Sequence, residues 1–251
     1  ATHIYNMDLP FIYRIHESPK EEKLRDFLGF VSNLGYQVTG DMKGNKSAAV
    51  QKLLKFVHDK KEGQVLTSLL LRCMQKAIYS PTNVGHFGLG SSCYTHFTSP
   101  IRRYPDTTVH RLLRTYLFNH DLSSHTLNHY QEKLIFIADH SSAMERASVD
   151  CEREVEDMKM AEYMESHIGE EFEGMITSVM SFGMFVELDN LVEGLVPVRL
   201  MNDYFVFDEE RMTLIGEKSK TKYTIGERVL IKVVAASKEA KTIDFEIVKK
   251  L

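Results

Sequence analysis

Apolar residues recur at helical spacing through the first two thirds of the chain and at alternating spacing through the last third, with the change falling near His167. Ser18 as N-cap, Pro19 at the first helical position and Glu21 closing a capping box predict a helix carrying Leu24, Phe27, Leu28, Val31 and Leu34 on one stripe, with Gly35 beyond its end. Val50, Leu53, Leu54 and Val57 predict a second helix over 47–57. Leu66, Leu69, Leu70, Cys73, Met74 and Ala77 predict a third. All three read as core formers, preceded by an extended apolar stretch over 11–15.

Residues 79–105 are irregular and rich in Gly, Ser, Thr, Asn and Pro, and a loop of that length is uncommon in a compact domain unless it has a function. Asp106 then reads as the N-cap of a helix whose Val109, Leu112, Leu113, Tyr116 and Leu117 share a face, so the loop is expected to rest on a rigid base. From Ser124 to His167 the pattern is again helical, and a capping box of Ser142 with Glu145 predicts a break near 140–142 and therefore two helices. The second is dense in mixed charge, which reads as a solvated face with ion pairs. After His167, short β-rich runs separated by turn signals predict a small antiparallel barrel of about 80 residues. The fold class is α+β, with a helical domain over 1–167 and a barrel over 168–251.

Composition narrows the function. No apolar run approaches the roughly 20 residues of a spanning helix, no signal peptide opens the chain, and a cytoplasmic location with no membrane partner is expected. Cys73, Cys93 and Cys151 are too scattered for a disulfide framework or a zinc site and read as reduced. The net charge of −4 means that any nucleic-acid binding must come from local clusters. The first residues lack methionine and read as an element already under way, so a fragment of a longer protein is expected.

The densest local cluster is YTHFTSPIRRYPD, Tyr94 to Asp106. A guanidinium offers phosphate a fixed fork of donors and keeps its charge at any working pH. Adjacent arginines on extended backbone point to opposite sides, so of Arg102 and Arg103 one is expected to face a ligand and the other to anchor the loop. An internal salt bridge for both is the structural alternative. His96, Thr98 and Ser99 can add neutral hydrogen bonds to phosphate or sugar, and Pro100 and Pro105 restrict the loop. In the barrel, a glycine turn or bulge at Gly183 could bring Phe182 and Phe185 to one face as a base-stacking platform, with Lys238 and Lys241 tracking phosphates. The alternative is that both rings belong to the core.

Two resemblances bear on these alternatives. FEGMITSVMSFGMFVELDNLVEGLVPV, with YTIGERVLIKVV and KTIDFEI after it, resembles the RNA-binding OB module named for ribosomal protein S-one, over 168–251. That resemblance implies that Phe182, Phe185 and Lys241 line an RNA face. The family often has His where Pro197 stands, and a polar or stacking contact is absent there. The segment HFGLGSSCYTHFTSPIRRYPDTTVHRLL, with FIYRIHESP and LLRCMQKAIYSPTNVGHFGLG upstream, resembles the end of the catalytic domain in the ribonuclease II and ribonuclease R family of exoribonucleases, its bacterial ribonuclease R branch above all. The likeness covers 1–167.

This second resemblance implies processive hydrolysis of RNA from a single-stranded 3′ end to nucleoside 5′-monophosphates. It assigns Arg102 to the phosphate beside the scissile bond and aligns Glu152 with a carboxylate near the terminal nucleotide. The ordinary alternative for Glu152 is a surface ion pair with Arg153 or Lys159. The cofactor implied is Mg²⁺, held by aspartates in the first half of the catalytic domain, and the partner implied is that missing N-terminal part. No metal ligand is assigned here, since Asp150, Glu152, Glu154, Glu156 and Asp157 fan around a helix. Two further readings stay open: a non-catalytic RNA-binding protein that keeps this half of the fold, and a self-sufficient hydrolase using Asp150 and Glu152.

Overall fold

The structure is a computed structural model that describes residues 1–36, 46–60, 63–209 and 211–251. The chain divides into two compact units. Among the described residues the first holds 1–25, 46–53 and 71–149, and the second holds 26–36, 54–60, 63–70, 150–209 and 211–251.

The chain opens with a short helix, α1 (Thr2–Asn6), and a strand, β1 (Tyr13–Ile15), that pairs antiparallel with β2 (Ile78–Ser80), Arg14 opposite Tyr79. Phe11, Ile12, Tyr13 and Ile15 are buried, which accounts for the unbroken apolar run. Helix α2 (Glu21–Asn33) begins at Glu21, with the Lys20 carbonyl accepting the Leu24 amide, so Ser18 and Pro19 lie ahead of the helix and do not cap it. Its end follows expectation. Gly35 takes φ 88°, a left-handed conformation open to glycine, and the Tyr36 amide closes onto the Val31 carbonyl. Helices α3 (Lys46–His58) and α4 (Gly63–Cys73) follow, with Val50, Leu53, Val57, Leu66 and Leu70 buried as their spacing requires.

Helix α5 (Tyr104–Leu113) widens into a π-helical turn over Arg114–Phe118, and Val109, Leu112 and Tyr116 join the core of the first unit with Leu134 and Ile137. Helix α6 (Ser124–Glu165) is continuous, contrary to the two helices expected. Its 42 residues contain no Gly or Pro, and the two side chains that resemble a capping box are engaged elsewhere. Ser142 is buried and its Oγ accepts the Tyr79 amide at 2.9 Å, while Glu145 pairs with Arg14 at 2.5 Å. No described helix is long and apolar enough to cross a membrane.

Strands β3 (Glu171–Met180), β4 (Gly183–Leu188), β5 (Glu193–Pro197), β9 (Arg228–Ser237) and β10 (Thr242–Lys250) close into an OB-type barrel in the order β10-β5-β4-β3-β9. All pairs, including β9 with β10 that closes the ring, are antiparallel except one, where β10 meets β5 in parallel at Asp244 and Leu195. Alternate residues of β9, Val229, Ile231 and Val233, point inward with Ile176, Val186 and Phe245 among the buried set. Between β5 and β9, three strands, β6 (Phe205–Asp208), β7 (Thr213–Gly216) and β8 (Lys222–Thr224), form a separate antiparallel sheet. The period of the sequence gives no sign of that sheet.

Candidate functional site

The loop ahead of α5 is tied down along its length. The Arg14 amide donates to the Tyr94 carbonyl at 2.9 Å, Thr95 Oγ1 donates to the Ile12 carbonyl at 2.7 Å, and His110 Nε2 lies 2.8 Å from the Phe97 carbonyl. Thr107 Oγ1 donates to the Pro100 carbonyl at 2.8 Å, so residues 94–100 are held against β1 and α5. A loop fixed in this way presents its side chains at little further entropic cost.

The two arginines differ in their surroundings, and one of them, Arg103, anchors the loop. Arg103 Nη2 donates to Asp106 Oδ2 at 3.0 Å, and the same oxygen accepts the Ser99 amide at 2.8 Å. Asp106 is therefore not the N-cap: it is the third residue of α5, fully buried, with Arg103 at the cap position. Its carboxylate turns back to the loop because a half-buried cation and an amide are there to be paired. Arg102 is exposed, and among the described residues its guanidinium has neither a hydrogen-bond nor an ion-pair partner. Thr98 is exposed beside it. The Ser99 carbonyl accepts the Arg102 and Arg103 amides, which folds the loop into a tight turn under the guanidinium.

His96 is not turned out toward a ligand. Its Nδ1 lies 2.8 Å from the Tyr79 hydroxyl, and the two rings meet edge to face. Arg14 stacks over the other part of this network, its guanidinium carbon 4.6 Å from the Tyr79 ring centroid while it pairs with Glu145. Arg14 thus joins β1, β2 and α6, a role that the sequence does not advertise.

Burial, and then the guanidinium groups of Arg103 and Arg14, hold His96 below the ordinary imidazole range. Burial, His16 and Arg14 do the same for His86. Both groups bind protons less readily folded than unfolded, so their contribution to stability is complete above about pH 6.5 and is lost as the pH falls through their folded values. Urea midpoints should therefore decline on acidification from about pH 7.5 to about pH 5.5, and a His86→Gln, His96→Gln double variant should lose that part of the slope. A flat profile for the unaltered chain would exclude the effect.

Beside Arg102 lies a cleft of about 700 Å³ walled by Arg103, Tyr104 and Pro105 on one side and by Lys133, Phe136 and His140 of α6 on the other. Phe136 is 69% exposed, and His140 lies parallel to it, 5.6 Å between centroids and 5° between planes. Flat apolar rings next to cations are what a nucleotide needs: a face for the base and donors for the phosphate. A sequence sign exists in Leu134 to Ala138, five apolar residues in a row. No helix can turn all five inward, and it is Ile135 and Phe136 that face out.

Among the described residues no group of three or more His, Cys, Asp or Glu side chains converges on a point that could hold a metal ion. Glu152 is exposed on α6 without the ion pair to Arg153 or Lys159, since Lys159 pairs with Glu162 at 2.6 Å. Cys151 is exposed, and Cys73 and Cys93 are half-buried.

In the barrel, Phe182 and Phe185 come together as expected, their rings edge to face with centroids 6.2 Å apart. Gly183 makes this possible: a Cβ there would lie 2.4 Å from the Val196 carbonyl oxygen, so only glycine lets β4 leave the turn this close to β5. Phe182 is 56% exposed and is not a core residue. The lysines depart from expectation. Lys241 pairs with Glu154 of α6 at 2.6 Å, and Lys238 pairs with Glu162 while its amide donates to Glu165 at 2.8 Å. Hydrogen bonds from Lys159 and Lys238 hold the Glu162 carboxyl down to about 2. Both barrel lysines thus fasten β9 and β10 to the end of α6, and neither ammonium is free for a phosphate.

Residues 1–119 match the model of the RNB domain family, and residues 165–248 match that of the S1 RNA binding domain. Ribonuclease R 1 of Lactococcus lactis is 49% identical over 98% of this chain, and ribonuclease R of Ureaplasma parvum 43% identical over 97%. The chain spans 30% and 34% of the length of these two relatives. Among solved structures, Mycoplasma genitalium RNase R in complex with ribose-methylated single-stranded RNA superposes with a TM-score of 0.91 at 32% identity, over 99% of this chain and 39% of that one.

Proposed function

We propose, for a chain that belongs to the ribonuclease II and ribonuclease R family, that it is the C-terminal part of a processive 3′→5′ exoribonuclease of the cytoplasm, with residues 1–167 ending the catalytic domain and 168–251 gripping RNA. The observation that carries this reading is Arg102, an exposed and unpaired guanidinium on a loop fastened at several points, at the edge of a cleft with flat rings. Its part is to meet the negative charge on the phosphoryl oxygens as it grows. Arg103, held by Asp106, keeps the loop in place, with Thr98 and Ser99 beside the backbone of the strand. Glu152 stands near the terminal nucleotide. Phe182 and Phe185 stack bases upstream.

The RNB family implies a divalent metal, which we take to be Mg²⁺. The described residues do not fit such a site, so we assign its ligands to the remainder of the enzyme and derive no step through it.

The test mixes the chain with Mg²⁺ and a labelled RNA bearing a single-stranded 3′ tail, and follows binding and nucleotide release together. We expect binding without release, weakened about tenfold by Phe182→Ala, in keeping with the roughly 1 to 3 kcal/mol of one lost stack. Absence of binding would sink the reading, and release of 5′-monophosphates would mean that these residues hold a metal site after all.

A further inference from the structure

The sheet between β5 and β9 carries a feature that the catalytic cleft and the phenylalanine pair do not use. The turn from β7 to β8 is built around Asp203, whose carboxylate accepts the amides of Tyr204 at 2.7 Å, Lys218 at 3.0 Å and Ser219 at 2.7 Å. Ser219 Oγ accepts the Thr221 amide, the Gly216 amide donates to the Thr221 carbonyl at 2.8 Å, and Lys220 sits in the left-handed region at φ 55°. Such a turn is rigid. It carries Lys218, Lys220 and Lys222, and Lys249 of β10 lines the same small cleft as Ser219 and Thr221.

All four lysines are exposed, and among the described residues none of their ammonium groups has a partner. That sets them apart from Lys159, Lys238, Lys241 and Lys250, each paired with a carboxylate. Nearby acids do not neutralise the edge: Asp203 serves the backbone, Glu227 holds Lys250, and Glu217 remains. Unpaired like charges along one turn and the strand end beside it repel, and a polyanion relieves the repulsion. Beside them Tyr204 is 69% exposed, its carbonyl fixed by the Glu217 amide, which adds a flat face next to the cations.

We infer that this edge, Lys218, Lys220, Lys222 and Lys249 with Tyr204, is a second contact for single-stranded RNA, engaging backbone phosphates with the lysines and a base with the tyrosine. The inference rests on the RNA-binding role proposed above and extends it to a surface apart from Phe182 and Phe185. An extended strand held at both places is harder to release between turnovers.

The experiment titrates the 251-residue chain with a labelled single-stranded oligoribonucleotide at several salt concentrations, which counts phosphate contacts independently of stacking. Each lysine engaged contributes about 0.7 to the slope of log affinity against log salt. The K218A/K220A/K222A/K249A variant should bind more weakly at low salt with a slope shallower by about 2 to 3, and the four corresponding arginine substitutions should restore it. Tyr204→Ala should lower affinity several-fold at an unchanged slope. A lysine variant with native circular dichroism and the unaltered slope overturns this inference alone, and so does displacement from the edge by an acidic polypeptide that RNA cannot match. Failure of the unaltered chain to bind RNA overturns this inference and the proposed function together.

Discussion

Replacing Arg102 by Lys in the full-length enzyme is expected to lower turnover about 100-fold while RNA affinity stays within about threefold. The asymmetry follows from where charge develops. In the role proposed for it, the guanidinium offers phosphoryl oxygens two donors in a fixed plane, and an ammonium keeps the charge but not the fork, so the loss falls on the transition state more than on the bound strand. On the same proposal, affinity rests on phosphate and stacking contacts elsewhere. Arg102 is also a clean site to vary, since its guanidinium has no hydrogen-bond or ion-pair partner among the described residues. Single-turnover rates and equilibrium binding, measured on the same variant, separate the two effects. Unchanged turnover would reject the role.

The second large effect concerns stability. Asp106→Ala should destabilise the chain by about 3 kcal/mol, because it strands the Arg103 guanidinium and the Ser99 amide together. Asp106 is fully buried, whereas the Arg103 side chain is 24% exposed, so water recovers part of the loss and the lower end of the usual range applies. Arg103 Nε already lacks a partner, which leaves the group nothing else to fall back on in the protein. Urea unfolding measures the shift directly. Asp106→Asn, which keeps the shape and one acceptor, should lose less. An Ala variant as stable as the parent would mean that the pair contributes nothing and that the loop is held by its other bonds.

The two expectations meet in one loop. Asp106 holds Arg103 and Ser99, and the Ser99 carbonyl holds the turn from which Arg102 projects. A variant weakened at Asp106 should therefore also be slow, through a mobile Arg102 and not through lost charge.

Local chemistry alone made much of this legible. The spacing of Val109, Leu112 and Tyr116 locates α5, and alternation locates the barrel strands, because both are set by which residues can face a core at once. The different surroundings of Arg102 and Arg103 match the reading of the sequence, but the cause is a tight turn on the Ser99 carbonyl and not the extended backbone on which that reading rested. Gly183 beside Phe182 signals a close approach of two strands, since a Cβ there would meet the Val196 carbonyl oxygen.

What the tertiary structure decided is, in each case, the partner of a polar side chain. Ser142 and Glu145 have the spacing of a capping box, yet a backbone amide of β2 and the guanidinium of Arg14 claim them, and α6 runs through unbroken. Asp106 precedes an apolar stripe as an N-cap would, yet it lies inside the helix with Arg103 as its cation. Lys238 and Lys241 resemble phosphate contacts until Glu162 and Glu154 meet them, whereas Lys218, Lys220, Lys222 and Lys249 draw no notice until they are found unpaired. Apolar residues reveal their place by periodicity, because burial is non-directional and repeats with the backbone. A charge or a hydroxyl is satisfied by one directed partner, often more than fifty residues away, and nothing in its own neighbourhood records which one.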